Sequence, residues 1–208
     1  MDSNGACCST NQEDSCGICF GDDGICNQPV ANDQYLNLLE DNNIAITLTA
    51  VDPNNDSITF TFQDDPTYGI ISGSGETWTY QPNPNYYGTD VFTFTATDGN
   101  WTSDPASVTI IVQSVNDIPT TENMYITLPE DNSISIDLLG YDIDGDPLSY
   151  FFTTEPMNGS YILSGSELVY TPFPNYNGMD SMMYAVSDSQ YTSSEGLINI
   201  NITPEQDP

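Results

Sequence analysis

Lysine, arginine and histidine are absent from the 208-residue sequence, which contains 31 Asp and Glu residues and has a formal net charge of -31. Because there is no basic patch, we expect no affinity for nucleic acid or for an anionic membrane surface. The same absence excludes Schiff-base chemistry, a histidine general base and a Lys or Arg phosphate clamp. Only water, the N-terminal amine and bound cations are left to offset the carboxylates.

Long apolar runs are also absent, so no segment reaches membrane-spanning length and no membrane insertion is expected. No basic segment followed by an apolar one opens the sequence, which indicates that any secretion signal has been removed or left out. A hydrophobic content of 38%, with 11% aromatic residues, is nevertheless enough to bury a core.

The acidic residues are biased towards the shorter side chain, with 22 Asp against 9 Glu. Hard cations such as Ca²⁺ take rings of oxygen ligands from loops, and short Asp side chains crowd together readily there. The alternative is an acidic surface adapted to high salt. Under the first interpretation, the excess of Asp over Glu predicts cation ligands in the loops.

The sequence repeats itself with a shift of 90 residues and no insertion. "YQPNPNYYGTD" from Tyr80 to Asp90 matches "YTPFPNYNGMD" from Tyr170 to Asp180. An ungapped match of this length indicates two copies of one domain. We therefore predict three segments: a cysteine-rich arm (1–26), a first repeat (27–117) and a second repeat (118–208).

Each repeat contains short runs in which apolar residues alternate with Thr, Ser, Asn or Gln, as in Phe92–Ala96 and Val108–Val112. This period of two is typical of strands with one wet face, and Pro, Gly and Asn clusters separate the runs. About seven strands in 90 residues predict an all-β fold: two tandem antiparallel sandwiches of immunoglobulin or cadherin type.

The stretch "YDIDGDPLSY" places Asp142, Asp144 and Asp146 on alternate positions. It is not an EF-hand, because Pro147 occupies the position of the loop glycine and Thr153 that of the last glutamate. In a sandwich this loop lies at the N-terminal end of its repeat, as do the linker and the loop before the last strand. Such convergence suits a Ca²⁺ site with six to eight oxygen ligands.

These features resemble the cadherin-like and bacterial immunoglobulin-like tandem repeats of surface adhesins. In that family a Glu after the first strand, an Asn-Asp linker, an Asp-x-Asp loop and a late Asp bind Ca²⁺ between domains. The resemblance implies an interdomain calcium site whose ligands come from Glu40, Asp41, Asn116, Asp117, Asp142, Asp144, Asp146 and Asp188.

A second, weaker calcium site is expected at the matching positions of the first repeat, which are Asp52, Asp56 and Asp98. The alternative for all of these loops is an Asx turn, in which Asp and Asn side chains cap their own backbone. For the first repeat the two interpretations stay open. In the second repeat the crowding of carboxylates favours calcium.

The five cysteines lie within residues 7 to 26. "DSCGICFGDDGIC", residues 14 to 26, resembles a motif of thrombospondin-like and other multidomain secreted proteins. A Cys-x-x-Cys pair also suggests zinc or redox chemistry, but no His or second such pair accompanies it, so extracellular disulfides are favoured. The candidate disulfide residues are Cys16, Cys19 and Cys26, together with Cys7 and Cys8, and the odd count leaves at least one thiol free or bound to another chain.

Four Asn-x-Ser/Thr sequons offer weak candidates for glycosylation, and they begin at Asn55, Asn100, Asn158 and Asn201.

The favoured function is that of a non-enzymatic subunit or segment of an extracellular, cell-surface adhesive stalk or filament, with surface glycans as candidate targets. It would assemble head to tail as a homo-oligomer or continue as a longer tandem chain. The alternative is an accessory module, carbohydrate-binding through Trp78 or Trp101, of a larger secreted enzyme. A glycosidase using two carboxylates is disfavoured because no acidic pair stands out.

Overall fold

The computed structural model describes residues 28–53 and 55–206, which divide into two compact units. The division falls between Val115 and Asn116, two residues before the boundary drawn from the sequence. The cysteines Cys7, Cys8, Cys16, Cys19 and Cys26, and with them the predicted arm, lie outside the described residues.

Over its described residues, the regular secondary structure of the first unit consists of strands alone. In chain order they are β1 (Val30–Ala31), β2 (Gln34–Leu39), β3 (Ile44–Thr47), β4 (Ala50–Val51), β5 (Thr59–Asp64), β6 (Gly69–Ser74), β7 (Thr77–Pro82), β8 (Gly88–Thr97) and β9 (Ala106–Gln113). A four-stranded sheet has the order β2-β9-β8-β5, a three-stranded sheet has the order β3-β7-β6, and β1 pairs with β4.

The second unit repeats this plan. Its strands are β10 (Thr120–Thr121), β11 (Met124–Pro129), β12 (Ile134–Asp137), β13 (Gly140–Tyr141), β14 (Ser149–Thr154), β15 (Gly159–Ser164), β16 (Glu167–Pro172), β17 (Gly178–Ser187) and β18 (Gly196–Thr203). The sheets have the orders β11-β18-β17-β14 and β12-β16-β15, and β10 pairs with β13.

Alternation along the strands explains why the two sheets of a unit face each other. In β17, Met182, Tyr184 and Val186 are fully buried, and they join β12, β16 and β18 residues in one apolar cluster. The first unit has the equivalent cluster around Phe92, Phe94 and Tyr80. The predicted pair of tandem immunoglobulin-like or cadherin-like sandwiches is thus confirmed.

The pairing is antiparallel with one exception in each unit. β2 pairs with β9 in parallel over six residues, and β11 pairs with β18 in the same way. In each unit the second strand, β2 or β11, therefore runs in the same direction as the last strand, and the loops before β2 and before β9 lie at the same end. This topology brings the predicted site loops of the second unit together.

A buried carboxylate stabilises the other end of each unit, away from the loops that precede β2 and β9 in the first unit and β11 and β18 in the second. Asp90 accepts hydrogen bonds from the backbone amides of Thr67 and Tyr68 and from the hydroxyl of Tyr80, at 2.8 to 2.9 Å. Asp180 does the same in the second unit, and both residues are nearly inaccessible to solvent. These acids satisfy the backbone where the chain crosses between the sheets, so their role is structural.

Each unit also has a tyrosine corner, in the loop before β8 in the first unit and in the loop before β17 in the second. The hydroxyl of Tyr86 donates to the carbonyl oxygen of Thr89, and Tyr176 donates to that of Met179. Gly88 lies under the Tyr86 ring at a φ of 141°, where an added Cβ would lie 3.0 Å from the hydroxyl oxygen. The tyrosines are therefore packing residues.

Among the described residues, no helix is long and apolar enough to cross a membrane.

Candidate metal centre

The Asp-rich loop of the second unit is a tight turn organised by Asp142. Its Oδ1 accepts hydrogen bonds from the amides of Asp144 and Asp146, at 3.0 and 3.1 Å. Gly145 adopts a φ of 78°, which glycine tolerates better than other residues, and this lets the chain reverse. The Asx turn expected from the sequence is present, but it uses only one of the two Asp142 carboxylate oxygens.

The second oxygen of Asp142 is the unusual feature of this loop. The residue is only 7% exposed, and its Oδ2 is buried without a hydrogen bond within the described part of the chain. A buried carboxylate oxygen without a donor is strongly destabilising unless a positive charge lies beside it. Since the sequence has no basic side chain, a bound cation is the partner that fits.

The linker lies on the loop before β18 in this unit. The side-chain amide of Asn116 donates a 2.7 Å hydrogen bond to Oδ2 of Asp188. The other oxygen of Asp188 accepts from the amides of Gln190 and Tyr191, both at 2.6 Å. The hydrogen bond from Asn116, followed by that from the Tyr191 amide, lowers the pKa of Asp188 below its ordinary value, so this residue stays ionised.

Asp117 lies against the Asp-rich turn. Its backbone amide donates a 2.8 Å hydrogen bond to Oδ2 of Asp144. One end of the second unit therefore brings together Asn116, Asp117, Asp142, Asp144 and Asp188. Their role as calcium ligands stays a prediction. Asp146 contributes its backbone amide to the same turn.

Glu40 and Asp41 belong to the first unit. Glu40 is 2% exposed, and its Oε1 accepts a 2.6 Å hydrogen bond from the amide of Val115. Asp41 has a φ of 58°, and its Oδ1 accepts from the amide of Asn85. Asp41 thus joins two loops of its own unit. A ligand set shared between the units stays a prediction.

The weaker candidate in the first unit has a similar but more exposed arrangement. Asp52 is 7% exposed and its Oδ1 accepts from the amide of Asp56, at 3.0 Å. Asp98 accepts from the amides of Asn100 and Trp101. Asp56 is exposed and Asp98 is partly exposed. The Asx turns expected here are present, and calcium binding stays a prediction.

One residue at the second-unit site was not identified from the sequence. The side-chain amide of Gln190 donates a 3.1 Å hydrogen bond to Oδ1 of Asn116, which orients the Asn116 amide group towards Asp188. A glutamine in a loop carries no distinctive sequence signal, and its reach depends on the loop conformation.

The sequon residues have different environments. Asn55, Asn100 and Asn201 are exposed. Asn158 is partly buried, and its backbone amide donates a hydrogen bond to Asp180. Of the two tryptophans, Trp78 packs edge-on against Phe62 as part of the core and Trp101 is 45% exposed. Trp78 is therefore committed to packing.

Several comparisons with known proteins bear on this architecture. No curated protein matches the chain. A human mucin-like protocadherin fragment (EC1-2) is 15% identical, with a TM-score of 0.55, covering 86% of this chain and 100% of the fragment. A mouse cadherin-23 fragment (EC22-24) is 17% identical, with a TM-score of 0.58, covering 86% of this chain and 65% of the fragment. These similarities indicate the fold alone.

An endo-fucoidan hydrolase of glycoside hydrolase family 107 is 20% identical, with a TM-score of 0.38. The match covers 86% of this chain but spans only 29% of the hydrolase.

The comparison with protein families identifies one domain in each unit. The model of the Bacterial Ig domain matches residues 27–111 and again 116–201, so each structural unit corresponds to one match. Tandem domains of this kind are typical of structural or adhesive modules outside the cell. The chain belongs to the Bacterial Ig domain family and contains two consecutive copies of that domain.

Proposed function

We propose that this chain is a non-enzymatic segment of an extracellular adhesive stalk or filament, and that Ca²⁺ stiffens it at the linker. The observation that carries the proposal is the buried Oδ2 of Asp142, which has no hydrogen bond among the described residues. It lies in the turn whose Asp144 accepts a hydrogen bond from the linker residue Asp117. Carboxylates crowd at this end of the second unit, in a chain without one basic side chain.

The donor set favours a hard cation. Only oxygen atoms are offered, from Asp142, Asp144, Asp188 and the linker, and no histidine exists to supply nitrogen. Ca²⁺ accepts such sets with variable geometry, whereas Mg²⁺ demands a nearly regular octahedron and Zn²⁺ favours nitrogen and sulfur. These residues would hold the ion, with Glu40 as a further ligand predicted from the sequence. The ion would supply the positive charge that Asp142 requires.

Binding would restrict the linker. Asn116 and Asp117 connect the two domains covalently, and their side chain and backbone are hydrogen-bonded to the loops of the second unit. A cation bound by these loops would oppose their mutual repulsion and keep the linker docked. A stalk needs such rigidity.

Calcium titration tests this proposal. We expect a dissociation constant of about 10⁻⁴ to 10⁻³ M, typical of extracellular modules, and a melting temperature that falls when a chelator is added. Asp142→Asn should keep the Oδ1 caps and weaken Ca²⁺ binding at least tenfold. Asp137→Asn, which removes an exposed acid on β12, is the matched control and should bind as the wild type does.

At a charge of -31 any salt screens repulsion, so NaCl of equal ionic strength and MgCl₂ serve as further controls. If all three salts raise the melting temperature equally, the effect is general screening and the calcium site is wrong. Solution scattering should show interdomain bending that increases in chelator.

We extend the proposal to assembly. Glu130, 5% exposed, accepts a 2.9 Å hydrogen bond from the amide of Glu205, which repeats the contact of Glu40 with Val115. The second unit thus has the same buried glutamate, hydrogen-bonded to the backbone after its last strand, as the first unit. A following copy, or a further repeat, would meet Glu130 with its own Asp52, Asp56 and Asp98.

Such a contact is heterologous and generates open filaments unless it closes into a ring. Electron microscopy in millimolar calcium should reveal end-to-end fibres that disperse in chelator. Particles that stay monomeric in both conditions would contradict self-assembly.

A further inference from the structure

The outward face of the four-stranded sheet in the second unit carries an apolar patch. Its members, which we call the β17 patch, are Phe151, Met183, Ala185 and Leu197. Met183 pairs with Leu197, and Ala185 pairs with Phe151, so the four side chains are contiguous across three strands. Phe151 is 40% exposed, Met183 and Leu197 are half-buried, and Ala185 lies at 1% exposure among its neighbours.

The core does not require these residues. Alternate positions on the same strands, such as Tyr150, Met182 and Ile198, point inward and form the apolar cluster. The β17 patch therefore faces away from the core.

The first unit has polar residues at the same sheet positions. The matching residues, 90 positions earlier, are Thr61, Thr93, Thr95 and Ser107, and they pair in the same register. Thr93 donates to Asp64, and Ser107 donates to Asp33. This fold is therefore compatible with hydroxyl side chains at all four positions.

The two units differ in charge as well as in polarity around these four positions. In the first unit Asp33 and Asp64 contact this face directly. In the second unit their places are taken by Asn123 and Thr154: the Oδ1 of Asn123 accepts from the amide of Leu197, and Thr154 pairs with Met183. Two carboxylates have been replaced by neutral residues where four hydroxyls have been replaced by apolar groups. Both differences lower the desolvation penalty of covering the patch.

We propose that the β17 patch is a contact face for a second copy of this chain. A molecule with a charge of -31 repels its own copies, so in the absence of bound cations close approach is favoured at a face whose described side chains carry no carboxylate. A cationic partner would instead be drawn to the acidic surface.

A two-fold axis through the patch places Phe151, Met183 and Leu197 against the same residues of the other copy. Two sheet faces pack at about 10 Å, with their strands roughly 30° from parallel. Tyr125, on the edge strand of this sheet and 78% exposed, would extend the contact. The contact is lateral, so it is separate from the end-to-end contact of the proposed function and needs no calcium.

The experiment uses the residues of the first unit as replacements. The triple variant Phe151→Thr, Met183→Thr and Leu197→Ser should keep the fold, because the first unit has these side chains at the same positions. Ile162→Thr, on β15 and equally apolar, is the control for a general loss of surface hydrophobicity, since Ile162 is 69% exposed.

Sedimentation equilibrium of the whole chain is measured in chelator, at low and at high NaCl. We expect a weak dimer that strengthens with NaCl, an association constant at least tenfold lower for the triple variant, and an unchanged constant for Ile162→Thr. Urea unfolding checks that the triple variant is folded. A wild-type monomer at high salt, equal association of the triple variant, or dimers that need calcium would each overturn the proposal.

Discussion

The hydroxyl of Tyr170 donates a 2.7 Å hydrogen bond to the carboxylate of Asp180, and both side chains are buried. Tyr80 and Asp90 form the same pair in the first unit at 2.8 Å. Each carboxylate also accepts hydrogen bonds from three backbone amides, so backbone and tyrosine donors satisfy its oxygens in the interior.

Replacing Asp180 by Ala should lower the free energy of unfolding by about 3 kcal/mol, because buried donors lose their acceptor. The bonds at risk come from the amides of Met157, Asn158 and Ser181 and from Tyr170. Urea denaturation followed by tyrosine fluorescence measures the change. Asp137→Ala removes an equal charge from an exposed site, and comparable losses in both variants would show that the network is unimportant.

Stability should also decrease at high pH. Burial, and next the hydrogen bond to the carboxylate, raise the pKa of Tyr80 and of Tyr170 well above the ordinary value of 10. Because the unfolded tyrosines ionise first, their contribution is complete below about pH 10 and is lost as the pH rises towards the folded pKa.

Ultraviolet titration of the 13 tyrosines measures this effect. The buried pair, Tyr80 and Tyr170, should ionise only together with unfolding. A single reversible step that includes all thirteen would contradict the expectation.

Stability should also decrease in acid, through Asp33. Hydrogen bonds from the amide of Ser107, and then from its hydroxyl, lower the pKa of Asp33 below the ordinary 3.8. A lowered pKa contributes stability above the unfolded value, and that contribution is lost as the pH falls through the folded one. NMR titration of the carboxyl carbon should show a higher pKa in Ser107→Ala, whereas Thr109→Ala, two residues along β9, should leave it unchanged.

Gly159 is required by packing rather than by its backbone conformation. An added Cβ would lie 2.5 Å from the ring of Tyr170, so Gly159→Ala should destabilise the second unit by about 3 kcal/mol or more. Gly165 is the matched control: it has a φ of 63° and open space around it, so Gly165→Ala should lose only about 1 kcal/mol. Thermal unfolding of both variants compares them, and equal losses would show that the ring moves aside.

The strands could be predicted because apolar residues alternate regularly in β8, β9, β17 and β18, and because every such pattern occurs twice. The parallel pairing of β2 with β9 could not, since a period of two is the same for both strand directions. Asp142 and Asp188 could be placed together once the sandwich was assumed. The burial of Asp142 Oδ2 depends on side-chain packing in the turn, which the sequence pattern does not contain.

Asp90 and Asp180 illustrate another limit. Both stand in the repeated segment that identified the two domains, yet nothing in their sequence distinguishes a buried acid from an exposed one. The contrast between Asp33 and Asn123 is visible in the aligned repeats. It acquires meaning only when the register places both residues beside the same sheet positions.

The parallel pairing of β2 with β9, and of β11 with β18, has a mechanical consequence. If the two ends of the chain are pulled apart, β2 and β9 are drawn in opposite directions along their common axis, and so are β11 and β18. The six residue pairs of each ladder are then loaded together in shear, instead of being opened one after another as in a peeled hairpin. Forced unfolding is governed by the rate of crossing the unfolding barrier, and loading in shear raises the tension needed to cross it. Each unit is thus connected so that tension acts against its strongest direction.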